Sequence, residues 1–232
     1  MNIATLIGGL ATLAWVAVIA IVAVVVIRAS RGKPIKAGGT IVVLVIIGAI
    51  LFSTISAGLV FIAPQERGVV ISAISPKGYR ETALEPGLRW IIPFAETVVR
   101  YPISKQTYTM SIASPEGQVK GDDSIAARTS DGQQVYVDAS VIFSVDPSKV
   151  IQVHITWQDR YANDLVRAQA RGAIRDVISQ YRVEEVNTTK RAEMTNLITQ
   201  NLAEALAKNG LVLDDFVLRN ITFSPEYAAS VE

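Results

Sequence analysis

The stretch "QQVYVDASVIFSV", residues 133–145, decides the fold. Val135, Val137, Ala139, Val141, Phe143 and Val145 fall on one face, while Gln134, Tyr136, Asp138, Ser140 and Ser144 fall mainly on the other. A period of two with one apolar face predicts a half-buried β-strand. Asp131-Gly132 just before it is a pair suited to a hairpin turn, so "SIAARTS" (124–130) is expected as the preceding antiparallel strand.

Downstream the period changes. Asp146-Pro147 opens a short helix to about His154, and a long helix follows from about Asp159 to Tyr181. Val166, Ala170, Ala173, Val177 and Tyr181 form its apolar stripe, so Ala173→Glu is expected to unfold the domain by burying a charge. A second long helix runs from about Thr189 to Asn209, with Met194, Leu197, Ile198, Leu202, Ala205 and Leu206 as its stripe and Gly210 as its stop. "VLDDFVLRNITFS" (212–224) returns to strand. Upstream, "RGVVISAI" (67–74), "PGLRWIIPF" (86–94), "ETVVRYPIS" (96–104) and "KQTYTMSI" (105–112) read as strands, and the polar "SPEGQVKGDD" (114–123) as a loop. Strands and helices segregated along the chain predict an α+β fold, an antiparallel sheet with helices packed on it.

The N-terminal quarter has another character. Leu6–Ile27 and Ile41–Ala63 carry no charged residue in 22 and 23 positions. As helices each would be about 33 Å long, enough to cross a hydrocarbon core of about 30 Å. No Lys or Arg precedes Arg28, and the first run exceeds the apolar core of a signal peptide, so it is expected to be retained as a span. The expected division is a first transmembrane helix (1–27), a basic connector (28–40), a second transmembrane helix (41–63) and a domain over 64–223 with an internal boundary near 112. Ser224-Pro225-Glu226 then supplies an N-cap hydroxyl, a first-turn proline and a carboxylate, so 224–232 reads as the start of a further helix.

Charge placement bears on sidedness. Arg28, Arg31, Lys33 and Lys36 lie between the two spans, and Lys/Arg excess in short loops marks the cytoplasmic side. Both termini and the domain are therefore expected on the non-cytoplasmic side. Residues 64–232 carry 18 basic and 21 acidic residues, a balance that argues against a nucleic-acid partner. Small residues at Ala49, Ser53 and Ala57 recur every four positions along the second span, a face that lets another helix approach closely. Trp90 and Phe94 lie soon after that span; they belong either to a buried strand or to the membrane interface, where aromatic side chains are favoured. Arg167, Arg171 and Arg175 are spaced by four on the first long helix, as a solvated face or as an interface meeting acids such as Glu184-Glu185 of a neighbouring subunit.

These residues together resemble the band 7 or SPFH family, which includes stomatin, prohibitin, flotillin and the bacterial modulators of membrane proteases. The resemblance rests on an N-terminal anchor leading into Glu66-Arg67-Gly68-Val69-Val70, then Gly78-Tyr79, then "PGLRWIIPF", the strand into Asp146-Pro147, two helices, and "NGLVLDDFVLRNITFSPEYAASVE" (209–232), the segment most similar to prohibitin. It implies a scaffold that assembles with itself in a ring or cage, organises a membrane microdomain and partners a membrane AAA+ protease. It also implies that 224–232 begins a long helix of which the rest is missing here. Many relatives have one span or a reentrant hairpin where this chain has two. The expected location is a plasma membrane of prokaryotic type, in contact with its lipids. The alternative is a non-catalytic accessory subunit of a larger membrane complex.

No catalytic constellation stands out, and no enzyme activity, cofactor or metal is expected. The chain has no cysteine and one histidine, His154, too few for a zinc site. Phosphate-cradling glycine motifs and a nucleophile elbow are missing. Ser30 and Lys33 match a Ser-x-x-Lys pair, but in the connector nothing could build an oxyanion hole around them. Asp122-Asp123 and Asp214-Asp215 are adjacent pairs, whose side chains diverge on a strand and read as solvated turns.

Overall fold

A computed structural model describes residues 3–32, 37–113, 115–186 and 188–223. The expected helix start at 224–232 lies outside them, as do Lys33 and Lys36 of the connector. By internal contacts the chain forms two units, residues 1–100 and 101–232.

The first unit begins with α1 (Ile3–Ser30) and α2 (Gly38–Ala57), two apolar helices long enough to cross a membrane. They are not core helices of a water-soluble fold, because Leu13, Val16, Ile19, Leu44 and Leu51 are all more than half exposed. The helices meet along Ala11, Val18 and Ala49, all nearly buried, and Trp15 Nε1 donates to Ser53 Oγ at 2.8 Å. Small residues permit this approach, and a hydrogen bond between helices satisfies two polar groups that lipid could not.

After α2 come β1 (Leu59–Ile62), β2 (Glu66–Ser72), β3 (Gly87–Trp90) and β4 (Glu96–Pro102), the last crossing into the second unit. β1 pairs antiparallel with β3, and β2 pairs with β4. At Gly68 a Cβ would lie 2.9 Å from Val98 Cγ1 and 3.0 Å from Ile62 Cδ1, so only glycine lets β2 sit this close.

The second unit is built on β7 (Gln134–Val145), with β5 (Gln106–Met110) and β6 (Ile125–Arg128) before it. As expected, Val135, Val137, Ala139, Val141, Phe143 and Val145 are buried. β8 (Leu211–Phe223) pairs with β7 from Val135 to Val145, so β5 and β6 share the other edge in line, β5 against 139–143 and β6 against 134–137. The sequence boundary near 112 therefore moves to Arg100/Tyr101, because β5 belongs to the sheet of β7 and the excursion at 111–124 is internal to the second unit. The hairpin at Asp131-Gly132 is present, with Gly132 at φ 82° and Thr129 N donating to Gln133 O at 3.0 Å.

Helices α3 (Val150–Thr156), α4 (Arg167–Ile178), α5 (Val183–Val186) and α6 (Arg191–Lys208) complete the unit. The expected helix from Asp159 is not uniform. It opens as a 3₁₀ turn over Gln158–Arg160, widens to a π-helix over Tyr161–Val166 and tightens into α4. The buried residues are Leu165, Val166, Ala170, Ile174, Val177, Ile178 and Tyr181, so four of the five expected stripe positions hold. Ala173 is only half-buried, and Ile174 occupies the core position assigned to it from sequence. On α6, Met194, Ile198, Leu202 and Leu206 are fully buried, with Leu197 and Ala205 at the margin.

Candidate functional site

Gly58 follows α2 directly, and β1 begins at the next residue. A Cβ at Gly58 would lie 2.4 Å from Ile91 O and from Trp90 Nε1, an approach open to no other residue. Two hydrogen bonds stitch the end of α2 to the sheet here, Trp90 Nε1 donating to Ile55 O (3.1 Å) and Ile91 N donating to Gly58 O (2.8 Å), and β1 pairs with β3 directly after. The band-like sheet of the first unit is thus seated on the end of α2 without a linker.

The segment after β3 carries Phe94, which is fully exposed and has φ 66°. A bulky residue in the left-handed region is strained, and it persists only where its surroundings hold it. Here the holder is Glu96. Its buried carboxylate accepts from Ile92 N at 2.8 Å and from Arg80 Nε at 2.9 Å, with a second Arg80 nitrogen on the other oxygen. The Arg80 bonds lower the Glu96 pKa, burial opposes them, and the Ile92 bond adds to the lowering. Trp90, Leu88 and Ile74 are also exposed around this loop region of the first unit. Of the two readings of Trp90 and Phe94, the buried strand does not hold: Ile91 is the residue turned inward.

On α2, Ala49 and Ser53 face α1, while Ala57 is exposed. The small-residue face is used by the hairpin itself over its first two members.

In the second unit the three arginines find partners within the chain. Arg167 and Arg171 both bind the Asp123 carboxylate, Arg171 at 2.7 Å, and Arg171 also donates to Asp123 O at 2.9 Å. Arg175 Nε donates to Ala126 O at 3.0 Å. Asp123 is 2% exposed, not a solvated turn residue as its adjacent-pair context suggested. Burial raises its pKa, and the two guanidinium groups more than offset this and hold it below the usual carboxylate range. Part of the signal was present in sequence: positions 167 and 171 follow the stripe residues Val166 and Ala170 by one, so they flank the core instead of opposing it. Asp214, the other suspected turn acid, accepts from Ser144 Oγ (2.8 Å) and meets Lys105 Nζ (3.1 Å).

His154 is also less exposed than a surface histidine. Its Nδ1 lies 2.6 Å from Tyr101 Oη, and Tyr101 packs edge-on against it. Burial lowers the His154 pKa and pushes Tyr101 up to about 12, so a neutral imidazole and a neutral phenol share this hydrogen bond. Among the described residues no group of three or more acidic or histidine side chains converges as a metal site.

An anchor of two apolar helices running straight into a small sheet, followed by an α+β unit with a long central strand, is the arrangement of a membrane-attached band domain. The profile of the SPFH domain / Band 7 family matches residues 60–232, and the chain belongs to that family. It is similar to Prohibitin-2 of Colletotrichum higginsianum, 26% identical over 146 residues, covering 63% of this chain and 42% of that protein. With Prohibitin-2 of Schizosaccharomyces pombe it is 24% identical over 155 residues (67% and 49% covered), and with that of Mus musculus 25% over 157 residues (66% and 46%). The chain spans about half the length of the curated relatives it matches.

Proposed function

We propose that this chain is a non-catalytic membrane scaffold subunit. Its two helices anchor it, and copies assemble side by side through the band 7 domain into a ring or cage around a patch of membrane. The observation that carries this reading is the linkerless seat of the first unit's sheet on α2 at Gly58, Trp90 and Ile91. A sheet fixed to its anchor would pass lateral order among neighbouring copies on to the helices and the lipid between them. The exposure of Trp90 and of the strained Phe94 supports contact with the leaflet surface, where aromatic side chains are favoured. The basic connector supports a domain on the non-cytoplasmic side of a plasma membrane. Similarity to Prohibitin-2 supports a scaffold over an enzyme. Such an enclosure would keep membrane proteins from a membrane-bound AAA+ protease or present them to it.

The mass of the particle extracted from native membranes in mild detergent tests this. Many copies in a closed ring are expected. One or two copies beside larger, different subunits would instead make the chain an accessory subunit.

A further inference from the structure

The sheet of the second unit has two edges, and they are treated differently. The β8 edge is bent by bulges at Arg219 and Asp214, where the register against β7 shifts. Arg191 donates to the Leu218 and Arg219 carbonyls there, and Lys105 meets Asp214. Bulges and charges of this kind keep an edge from pairing with another strand.

The β6 edge has no bulge and is only partly covered. In an antiparallel pair, successive residues point their backbone groups alternately toward and away from the partner. Thr129 N bonds Gln133 O across the hairpin, so 125, 127 and 129 face β7, and 126, 128 and 130 face outward. Two of these outward groups are already engaged: Ala126 O accepts from Arg175, and Ser130 N donates to Tyr181 O at 2.8 Å. Ala126 N–H and both backbone groups of Arg128 have no partner among the described residues. They open on a groove of about 450 Å³ between β6 and α4, lined also by Gln134, Arg175, Asp176 and Ser179. The Arg128 guanidinium has no carboxylate among the described residues, and Arg175 has only a carbonyl.

We infer that this edge takes an extended, acidic segment of another protein by strand addition. The segment's backbone would pair with the Ala126 N–H and with both backbone groups of Arg128, and a carboxylate two residues along would meet Arg128 or Arg175. Strand addition draws affinity from main-chain bonds and specificity from alternate side chains, here a charge opposite two guanidinium groups. A second copy of this chain is a poorer occupant, since the complementary edge it would offer, β8, is the bulged and charged one. Recruitment at β6 adds to the scaffold reading and holds whether or not copies assemble.

The test uses the full chain in detergent and three labelled ten-residue peptides, read by fluorescence anisotropy. One alternates Val and Glu, one alternates Val and Lys, and one carries the same glutamates with prolines in place of alternate valines. The Val/Glu peptide is expected to bind, about tenfold or more tighter than either of the others. The double variant Arg128→Glu, Arg175→Glu should lose that preference. In the wild-type chain, hydrogen exchange at the Ala126 and Arg128 amides should slow when the Val/Glu peptide is added, a readout that needs no variant. Equal binding of the proline peptide would reduce the effect to charge alone and overturn the proposal. Absence of binding, or an unchanged exchange rate at both amides, would overturn it too. If the double variant dissolves a self-assembled particle, the occupant is a second copy and the assignment to another protein fails.

Discussion

In the second unit many large apolar side chains are shut away: Tyr108 and Phe143 are each 1% exposed, and Met194, Ile198 and Leu202 are fully buried, although Ile112 and Ile155 are about half exposed. In the first unit, beyond its helices, Trp90 is 46% exposed, Ile74 64% and Phe94 102%. Burial of apolar surface stabilises a fold by about 25 cal/mol per Å², so the first unit forgoes much of what the second gains. It also holds Phe94 in a strained backbone conformation by means of a buried carboxylate. The difference teaches where each unit completes itself. The second unit is finished by its own core, whereas the first presents apolar groups to something outside the chain, beside a helix end built for lipid.

The largest expected effect lies in the self-contained unit. Ile174→Ala should destabilise it by about 3 kcal/mol, since a fully buried aliphatic is lost from the α4 stripe. A denaturant midpoint that barely moves would show that the buried face of α4 is not the one described. Asp123→Ala comes next, at about 2 kcal/mol, because Arg167 and Arg171 would lose their acceptor while keeping some access to water. Asp123's own stabilising contribution should persist from neutral pH down to its ordinary pKa of 3.8, and be lost as pH falls through its lower folded value.

His154 sets a smaller effect in a separate pH window. Its folded pKa lies below the ordinary 6.5. As pH falls through that ordinary value, unfolded chains bind a proton that folded chains refuse, so stability declines. The thermal midpoint of the chain should therefore drop on going from about pH 7 to about pH 5.5, and His154→Gln should flatten that slope. A slope unchanged in the variant would place the titrating group elsewhere.

Much of this was legible in the sequence. The alternation at 135–145, the Asp-Gly turn and the two chargeless runs each follow from a local period, and local periods survive folding. What was missed depends on distance along the chain or on side-chain packing. The Arg167 and Arg171 partner is more than 40 residues away, at Asp123. In α4 the core position falls at Ile174 and not Ala173, because positions three and four residues after Ala170 both lie on the buried side and the larger side chain takes the core. Trp90 and Phe94 stayed ambiguous because an apolar strand and an apolar rim have the same composition. Only the backbone at Phe94 and the seat at Gly58 separate them.

The claim that joins fold to function is that the exposed rim of the first unit meets lipid. The chain has no cysteine, so Phe94→Cys and Val217→Cys each create a single attachment point for a nitroxide. Collision of each label with oxygen, which concentrates in lipid, is compared with collision with a water-soluble nickel complex in reconstituted membranes. The account predicts that oxygen dominates at 94 and nickel at 217, an exposed position of the second unit. Nickel dominating at both positions would contradict it, and would leave the strained Phe94 to a protein partner.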